Sequence, residues 1–241
     1  MAQDRIYSMP LGRVGDFEFD DAVADVFPDM IRRSVPGYGS MLSMIAQTAE
    51  RYAQPESHLY DLGCSLGAGT LLLLDHARPD CRIVAVDNSP AMISRLRQRM
   101  AGCQTQNSRV SIVQADIRDV QLSRASVVVL NLTLQFLPPA DRTELMQKIA
   151  DGMLPGGAVI LSEKICFADP DQQQLMTELH HDFKRAHGYS DLEIAQKRTA
   201  IENRLVPETL EAHVARLRGA GFRSVAVWFQ CFNFASILAI R

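Results

Sequence analysis

Asp61, Gly63, Gly67 and Gly69 fall in the spacing Asp-x-Gly-x-x-x-Gly-x-Gly, within the stretch Tyr60-Asp61-Leu62-Gly63-Cys64-Ser65-Leu66-Gly67-Ala68-Gly69-Thr70. A carboxylate at the head of such a turn can meet the cationic end of a ligand. The glycines let the backbone approach that ligand closely, and a following helix presents free N–H groups at its N-terminus. Further polar residues recur down the chain. Asp87 ends the run Arg82-Ile83-Val84-Ala85-Val86-Asp87, Asp116 follows the run at 110–114, and Asn131 ends the apolar run at 126–131. In an open α/β sheet, residues just beyond the carboxyl ends of the strands share one crevice. A carboxylate about 20 residues beyond the loop, as Asp87 is, suits a pair of ribose hydroxyls.

Other chemistries fail on spacing. A dinucleotide fingerprint needs a third small residue, but Gly67-x-Gly69 is followed by Leu72 at that place. There is no G-x-x-x-x-G-K-[ST] for a P-loop, and no convincing Ser-His-Asp or Cys-His set. The five cysteines, Cys64, Cys81, Cys103, Cys166 and Cys231, are odd in number and form no C-x-x-C. That pattern fits reduced thiols in a cytoplasmic protein, with neither a disulfide framework nor a zinc site. His180 and His181 would point about 100° apart on a helix, poor geometry for one metal, so no metal is expected.

The elements that must position these residues alternate. A strand at about 57–62 leads through the glycine turn into a helix ending near 77. A strand at 82–87 is followed by a helix opened by Ser89 as N-cap and Pro90 at its first position, running to about 100. Strands at 110–114, 126–131 and 158–162 and a helix at 139–153, stopped by Pro155-Gly156-Gly157, complete a doubly wound, mostly parallel sheet. Two helices precede it, one capped by Asp20 or Asp21 and kinked by Pro28, the other over 40–53. Residues 1–19 read as a loose arm. Residues 169–205 form a polar helical insertion or lid, 207–218 a last helix, and 222–229 with 233–240 an antiparallel hairpin. The 241 residues thus make one α/β domain: arm and capping helices at 1–54, core at 55–163, insertion at 164–206, and last helix with hairpin at 207–241. The net charge of −3 gives no basic field for nucleic acid, and no apolar run spans a membrane.

The glycine spacing resembles the first motif of class I S-adenosylmethionine-dependent enzymes. On that resemblance Asp61 serves the ligand's cationic end, Asp87 the ribose, and Asp116-Ile117 the adenine, the acid meeting the exocyclic amine and Ile117 covering the ring. Over nearly its full length the sequence is similar to one family, the carboxy-S-adenosylmethionine synthases of tRNA wobble-uridine modification. The segments that carry this include Val35-Pro36-Gly37-Tyr38, Asp61-Leu62-Gly63-Cys64-Ser65, Val86-Asp87-Asn88-Ser89-Pro90 and Asp116-Ile117-Arg118-Asp119. Further along are Asn131-Leu132-Thr133-Leu134-Gln135-Phe136-Leu137, His180-His181-Asp182-Phe183-Lys184-Arg185, Gln196-Lys197-Arg198 and Trp228-Phe229-Gln230-Cys231-Phe232-Asn233-Phe234. The glycine loop is shared with many methyltransferases; the histidine-pair and tryptophan stretches are far more specific.

The resemblance implies that S-adenosylmethionine is a substrate whose methyl group is carboxylated, with prephenate as carboxyl source and phenylpyruvate as co-product. A sulfonium acidifies its methyl protons. Prephenate loses carbon dioxide and hydroxide as it aromatises, so the hydroxide can take the proton and the carbanion the carbon dioxide. The protein then mainly positions reactants and excludes water. Arg198 is implied by the resemblance to hold the new carboxylate with its planar fork; spacing alone favours a solvated helix charge beside Lys197. Tyr38, Gly63, Cys64, Ser65, Asn88, Ser89 and Asn131 are implied ligand contacts. Ser89 has an alternative as a helix cap, Tyr38 as a packed aromatic, and Cys64 as a small loop residue. His180, His181 and Asp182 could line the prephenate site or be structural, and Lys184-Arg185 with Lys197-Arg198 could form a basic patch for the dianion or between subunits. A homodimer, with the polar helical segment as a candidate interface, and delivery of product to a tRNA carboxymethyltransferase are also implied. Alternatives are an ordinary methyltransferase acting on a small carboxylate and a non-catalytic S-adenosylmethionine-binding partner.

Overall fold

A computed structural model describes residues 2–102, 107–202 and 204–241. Cys103 lies outside the described residues. The centre is an eight-stranded sheet: β1 (His58–Leu62), β2 (Arg82–Asp87), β3 (Val110–Gln114), β4 (Ala125–Asn131), β5 (Met153–Cys166), β6 (Glu208–Thr209), β7 (Ser224–Cys231) and β8 (Phe234–Ile240). The order is β3-β2-β1-β4-β5-β8-β7, with β6 paired to β5 off this path. Strands β1 to β5 pair in parallel, while β8 runs antiparallel to both β5 and β7. The strand order reverses between β1 and β4, and ligands of such sheets bind at that switch point.

Helices cover both faces. Apolar residues of α2 (Tyr38–Tyr52), α3 (Ala68–His76) and α4 (Pro90–Ala101) pack on one face with Leu59, Ile83, Val127 and Val129. Helices α5 (Pro139–Gly152) and α8 (Leu210–Gly219) pack on the other with Leu62, Val128 and Leu130. The alternation of β4 residues between the two cores is the period-2 geometry of a strand, and explains why the run is apolar throughout. Caps follow their chemistry. Asp20 accepts from the amide of Val23 (2.9 Å) at the start of α1 (Asp21–Ser34), and Ser89 accepts from that of Met92 (3.2 Å) at the start of α4.

Three expectations need correction. The arm at 1–19 is not loose. The amide of Leu11 donates to Gln196 Oε1 (2.7 Å), Gln196 Nε2 donates to the carbonyls of Tyr7 and Met9 (2.9 Å each), and the amide of Phe17 donates to the carbonyl of Ala200 (2.8 Å). Those partners lie on α7 (Asp191–Glu202), far along the chain, so no local signal reports them. Helix α1 carries Pro28 within its span and runs on to Ser34. Strand β5 starts at Met153, ahead of Pro155-Gly156-Gly157, because Gly156, at φ 75°, donates its amide to the carbonyl of Arg241 and joins the ladder as an irregularity. Residues 207–209 are not helical: Glu208–Thr209 forms β6, and Thr209 caps α8 through the amide of Ala212 (3.3 Å). The polar segment folds as α6 (Pro170–Ala186) and α7.

Candidate functional site

A cavity of about 760 Å³ opens beyond the carboxyl ends of β1, β2 and β4. Its floor is the glycine loop. Gly63 (φ 81°) and Gly67 (φ 79°) turn the chain from β1 into α3. A Cβ on Gly63 would lie 2.3 Å from Thr133 Oγ1, so only a glycine lets this loop meet the one after β4. Asp61, almost fully buried, accepts from Thr70 Oγ1 (2.7 Å), which fixes the carboxylate under the start of α3. Burial pushes its pKa up to about 6, against the pull of Thr70. Asp87 Oδ2 accepts from the amide of Ser65 (2.8 Å) and Oδ1 from that of Ser89 (2.9 Å). It thereby ties the loop to the start of α4, and burial raises its pKa too.

Eleven of the twelve residues expected at the site line this cavity. Tyr38, Asp61, Gly63, Cys64 and Ser65 come from the α2 start and the loop, Asp87 and Asn88 from the end of β2, Asp116 and Ile117 from beyond β3, Asn131 from β4 and Arg198 from α7. Ser89 does not line it: its hydroxyl caps α4 and donates to the carbonyl of Phe19 (2.5 Å). Cys64 is buried beside Asp61 and Asp87. Burial first, and then the two carboxylates, push its thiol far up, so it has no nucleophilic character. Both oxygens of Asp116 are engaged by the Arg118 guanidinium (3.0 and 2.7 Å), which holds its carboxyl below the usual range and leaves lone pairs for a ligand. Asn131 Oδ1 is buried without a hydrogen-bond partner among the described residues, an acceptor that suits a ligand donor. Tyr38 stands near Asp61, and burial raises its phenol to about 12.

The turn after β4 is pinned from beneath. Glu163 of β5 accepts from the amides of Leu134 and Gln135 (2.9 Å each), and Gln135 Oε1 accepts in turn from the amide of Lys164 (2.9 Å). Successive strand residues point to opposite faces, so Glu163 faces away from the side that Lys164 takes, and Lys164 lines the cavity. Sequence reasoning missed Lys164 because it ended this strand at Ser162.

The basic patch is also redrawn. Arg185 is exposed and paired with Asp182 (2.6 Å) and Asp191 (2.8 Å), outside the cavity. Lys197 is buried and committed to Ser34 Oγ (2.9 Å) and Asp4 (3.5 Å), while Tyr189 donates to the same Asp4 carboxylate (2.5 Å). Arg33 lies over the Tyr189 ring, 3.9 Å from its centroid, and donates to the carbonyl of Asp4 (3.1 Å). This buried knot ties the N-terminal arm to the helix that carries Arg198. His180 is buried with Nε2 on the carbonyl of Ser34 (2.8 Å), and burial drives its pKa far down, so the ring is neutral. His181 lines the cavity half-buried, likewise shifted down. Among the described residues no group of His, Cys, Asp or Glu could hold a metal ion, and no helix is long and apolar enough to cross a membrane.

The cavity therefore has two characters. One part presents Asp61, Asp87 and Asp116, the last paired with Arg118; the other presents Lys164, Lys184 and Arg198, with Glu202 beside Lys164. Such an arrangement suits a ligand set with a cationic and an anionic member.

Comparisons with known proteins agree with this architecture. Residues 59–157 match the family model described as a methyltransferase domain. The chain is 57% identical over 239 residues to a protein of Trichlorobacter lovleyi named carboxy-S-adenosyl-L-methionine synthase, covering 99% of this chain and 98% of the relative. Proteins of the same name from Vibrio cholerae (52%) and Klebsiella pneumoniae (50%) match over 240 residues, 99% of this chain and 97% of each relative. Among solved structures, an O-methyltransferase family protein from Burkholderia thailandensis superposes with a TM-score of 0.64 at 19% identity, over 92% of this chain and 60% of its own. Human N-acetylserotonin methyltransferase in complex with S-adenosylmethionine does so with a TM-score of 0.52 at 16% identity, over 91% and 59%. At such identity these structures speak for the fold alone.

Proposed function

We propose a function from one established premise: the chain belongs to the carboxy-S-adenosyl-L-methionine synthase family, enzymes built on the methyltransferase fold. S-adenosylmethionine is its substrate, and prephenate is the proposed carboxyl donor. The observation that carries the proposal is the division of one cavity into an acidic and a basic part.

The acidic part fits S-adenosylmethionine. The amino-acid end carries an ammonium and the centre a sulfonium; both favour the neighbourhood of ionised Asp61, and the unpaired Oδ1 of Asn131 accepts from a donor. Asp87 and Asn88 offer oxygens to the ribose. Ile117, buried at the cavity wall, gives the adenine an aliphatic surface, with Asp116 at its rim. Arg198 makes no ion pair within the described residues, which leaves its fork for a carboxylate on the former methyl carbon.

The reaction needs little acid–base machinery. The prephenate dianion aromatises to the phenylpyruvate anion as it releases carbon dioxide and hydroxide. Hydroxide takes one methyl proton to give water, and the methyl carbon's electron pair attacks carbon dioxide to form the new carbon–carbon bond. The protein holds the two reactants together and keeps carbon dioxide and the carbanion from water. The high pKa of Cys64 and the low pKa of His180 leave neither of these two poised for proton transfer at neutral pH. Product would pass to a tRNA carboxymethyltransferase for wobble-uridine modification in the cytoplasm, and a homodimer is the proposed assembly. The test is incubation with S-adenosylmethionine and prephenate, followed by mass spectrometry. A nucleoside heavier by one carbon dioxide is expected, together with phenylpyruvate. S-adenosylhomocysteine with a methylated acceptor, or tight binding with no turnover, would overturn the proposal.

A further inference from the structure

Four of the cavity's basic side chains already have partners within the protein. Lys197 is held by Asp4 and Ser34, Arg118 by Asp116 and Asp141, Arg99 by the carbonyl of Leu66 and Arg32 by that of Pro28. Lys164 and Lys184 differ. Each is half-buried in the cavity wall, and within the described residues neither ammonium has a hydrogen-bond or ion-pair partner. They come from different elements, β5 and α6, yet they lie close enough to repel each other, and Arg198 of α7 repels both. Glu202 favours the charged form of Lys164 without reaching ion-pair distance. His181 joins the group and feels Lys184, Arg198, Arg185 and Lys164. His180 builds the wall behind, its ring edge-on to Phe234 at 5.0 Å.

Unpaired ammonium groups turned into a shared cavity cost free energy unless a ligand answers them. Burial and mutual repulsion bring Lys184 down to about 7, which is the signature of that cost. An anion bound there restores the charged form. Two ammonium groups on two separate elements offer two point charges apart, whereas a phosphate cradle converges backbone N–H groups on one centre.

We propose that Lys164 and Lys184, flanked by His181 and Arg198, form a subsite for a small dicarboxylate, one carboxylate to each lysine. The subsite deepens the function proposed above and rests on that reading only for the identity of the natural ligand. It also gives α6 a role, since a dianion bridging Lys164 to Lys184 ties α6 to β5 in the cavity wall that Arg198 of α7 shares.

Phthalate, an unreactive aromatic dicarboxylate, is the probe, titrated calorimetrically into protein saturated with S-adenosylhomocysteine. Phthalate should bind at least tenfold more tightly than benzoate or inorganic phosphate. Lys164→Met and Lys184→Met should each weaken phthalate by tenfold or more, while S-adenosylhomocysteine affinity stays within twofold and so reports an intact fold. Arg185→Ala, outside the cavity, should change neither. Equal binding of phthalate and benzoate, phosphate binding as tightly as phthalate, or unaltered phthalate affinity in both lysine variants would overturn the subsite. A wild-type protein that binds phthalate as described but makes no carboxylated nucleoside from prephenate would retain the subsite and remove the proposed reaction.

Discussion

Asp61 concentrates the conflict between stability and ligand binding in one side chain. Its carboxyl is buried, met by the hydroxyl and the backbone N–H of Thr70, and its pKa stands at about 6. A carboxyl whose folded-state pKa is raised contributes stability that is present below its unfolded value and lost as pH rises through about 6. At neutral pH the ligand-free protein thus forgoes on the order of 3 kcal/mol there. A cationic ligand reverses the sign, because it favours the ionised form. Affinity for S-adenosylmethionine should therefore fall as pH drops below about 6, a step that calorimetry at several pH values would show. Asp61→Asn should abolish that step, weaken binding roughly 10- to 100-fold and raise the ligand-free Tm. A Tm below wild type would contradict this account of the burial cost. Arg198 has the complementary part. Arg198→Ala should lower carboxylation roughly 10- to 100-fold with S-adenosylmethionine affinity little changed, and Arg198→Lys should recover only a fraction, since a point charge cannot replace a bidentate fork. Unimpaired carboxylation by the alanine variant would remove the role given to this residue.

At the scale of elements, the N-terminal arm and α7 act as one unit. Asp4 is nearly fully buried, receives Tyr189 and Lys197, and anchors Arg33 through its carbonyl. Asp4→Ala leaves the buried Lys197 without its counter-ion, which should cost about 3 kcal/mol. The loss would register as a lower urea midpoint and a raised KM for the carboxyl donor, since Arg198 follows Lys197 on α7. Asp182→Ala, which breaks an exposed pair with Arg185, should leave the urea midpoint unchanged. The glycine loop is held to the loop after β4 with no room to spare. Gly63→Ala sets a methyl 2.3 Å from Thr133 Oγ1 at a φ of 81°, and should abolish ligand binding or folding by circular dichroism. A Gly63→Ala protein that folds and binds normally would show that this contact can relax.

For the molecule as a whole, the parallel core was legible because its signals are local. β2 and β3 span 82–87 and 110–114 as their β-branched runs suggest, and Ser89-Pro90 marks the start of α4. The parts that were not legible depend on contacts distant in sequence. The arm is fixed by Gln196 and Ala200, the extra length of β5 by Arg241 and the β8 ladder, and residues 207–209 by pairing with Ile165 and Cys166. The site divides in the same way. The glycine loop, Asp87, Asp116 and Asn131 stand at strand ends and could be found from the alternation of elements. Lys164 sits on a strand continuation, and its value lies in facing Lys184 of α6, a pairing that no spacing reports. Ser89 is the reverse case: it stands in a candidate binding segment, but its hydroxyl is spent on a cap and on Phe19 and it does not line the cavity.

The central claim is that this cavity adds carbon to the methyl group of S-adenosylmethionine instead of giving that methyl away. Its most direct test uses prephenate labelled with carbon-13 in the ring carboxylate, incubated with the protein and S-adenosylmethionine and followed by mass spectrometry. The predicted product is a nucleoside heavier than S-adenosylmethionine by one labelled carbon dioxide, formed in step with unlabelled phenylpyruvate. Release of S-adenosylhomocysteine with a methylated acceptor, or a carboxylated nucleoside without the label, would contradict it.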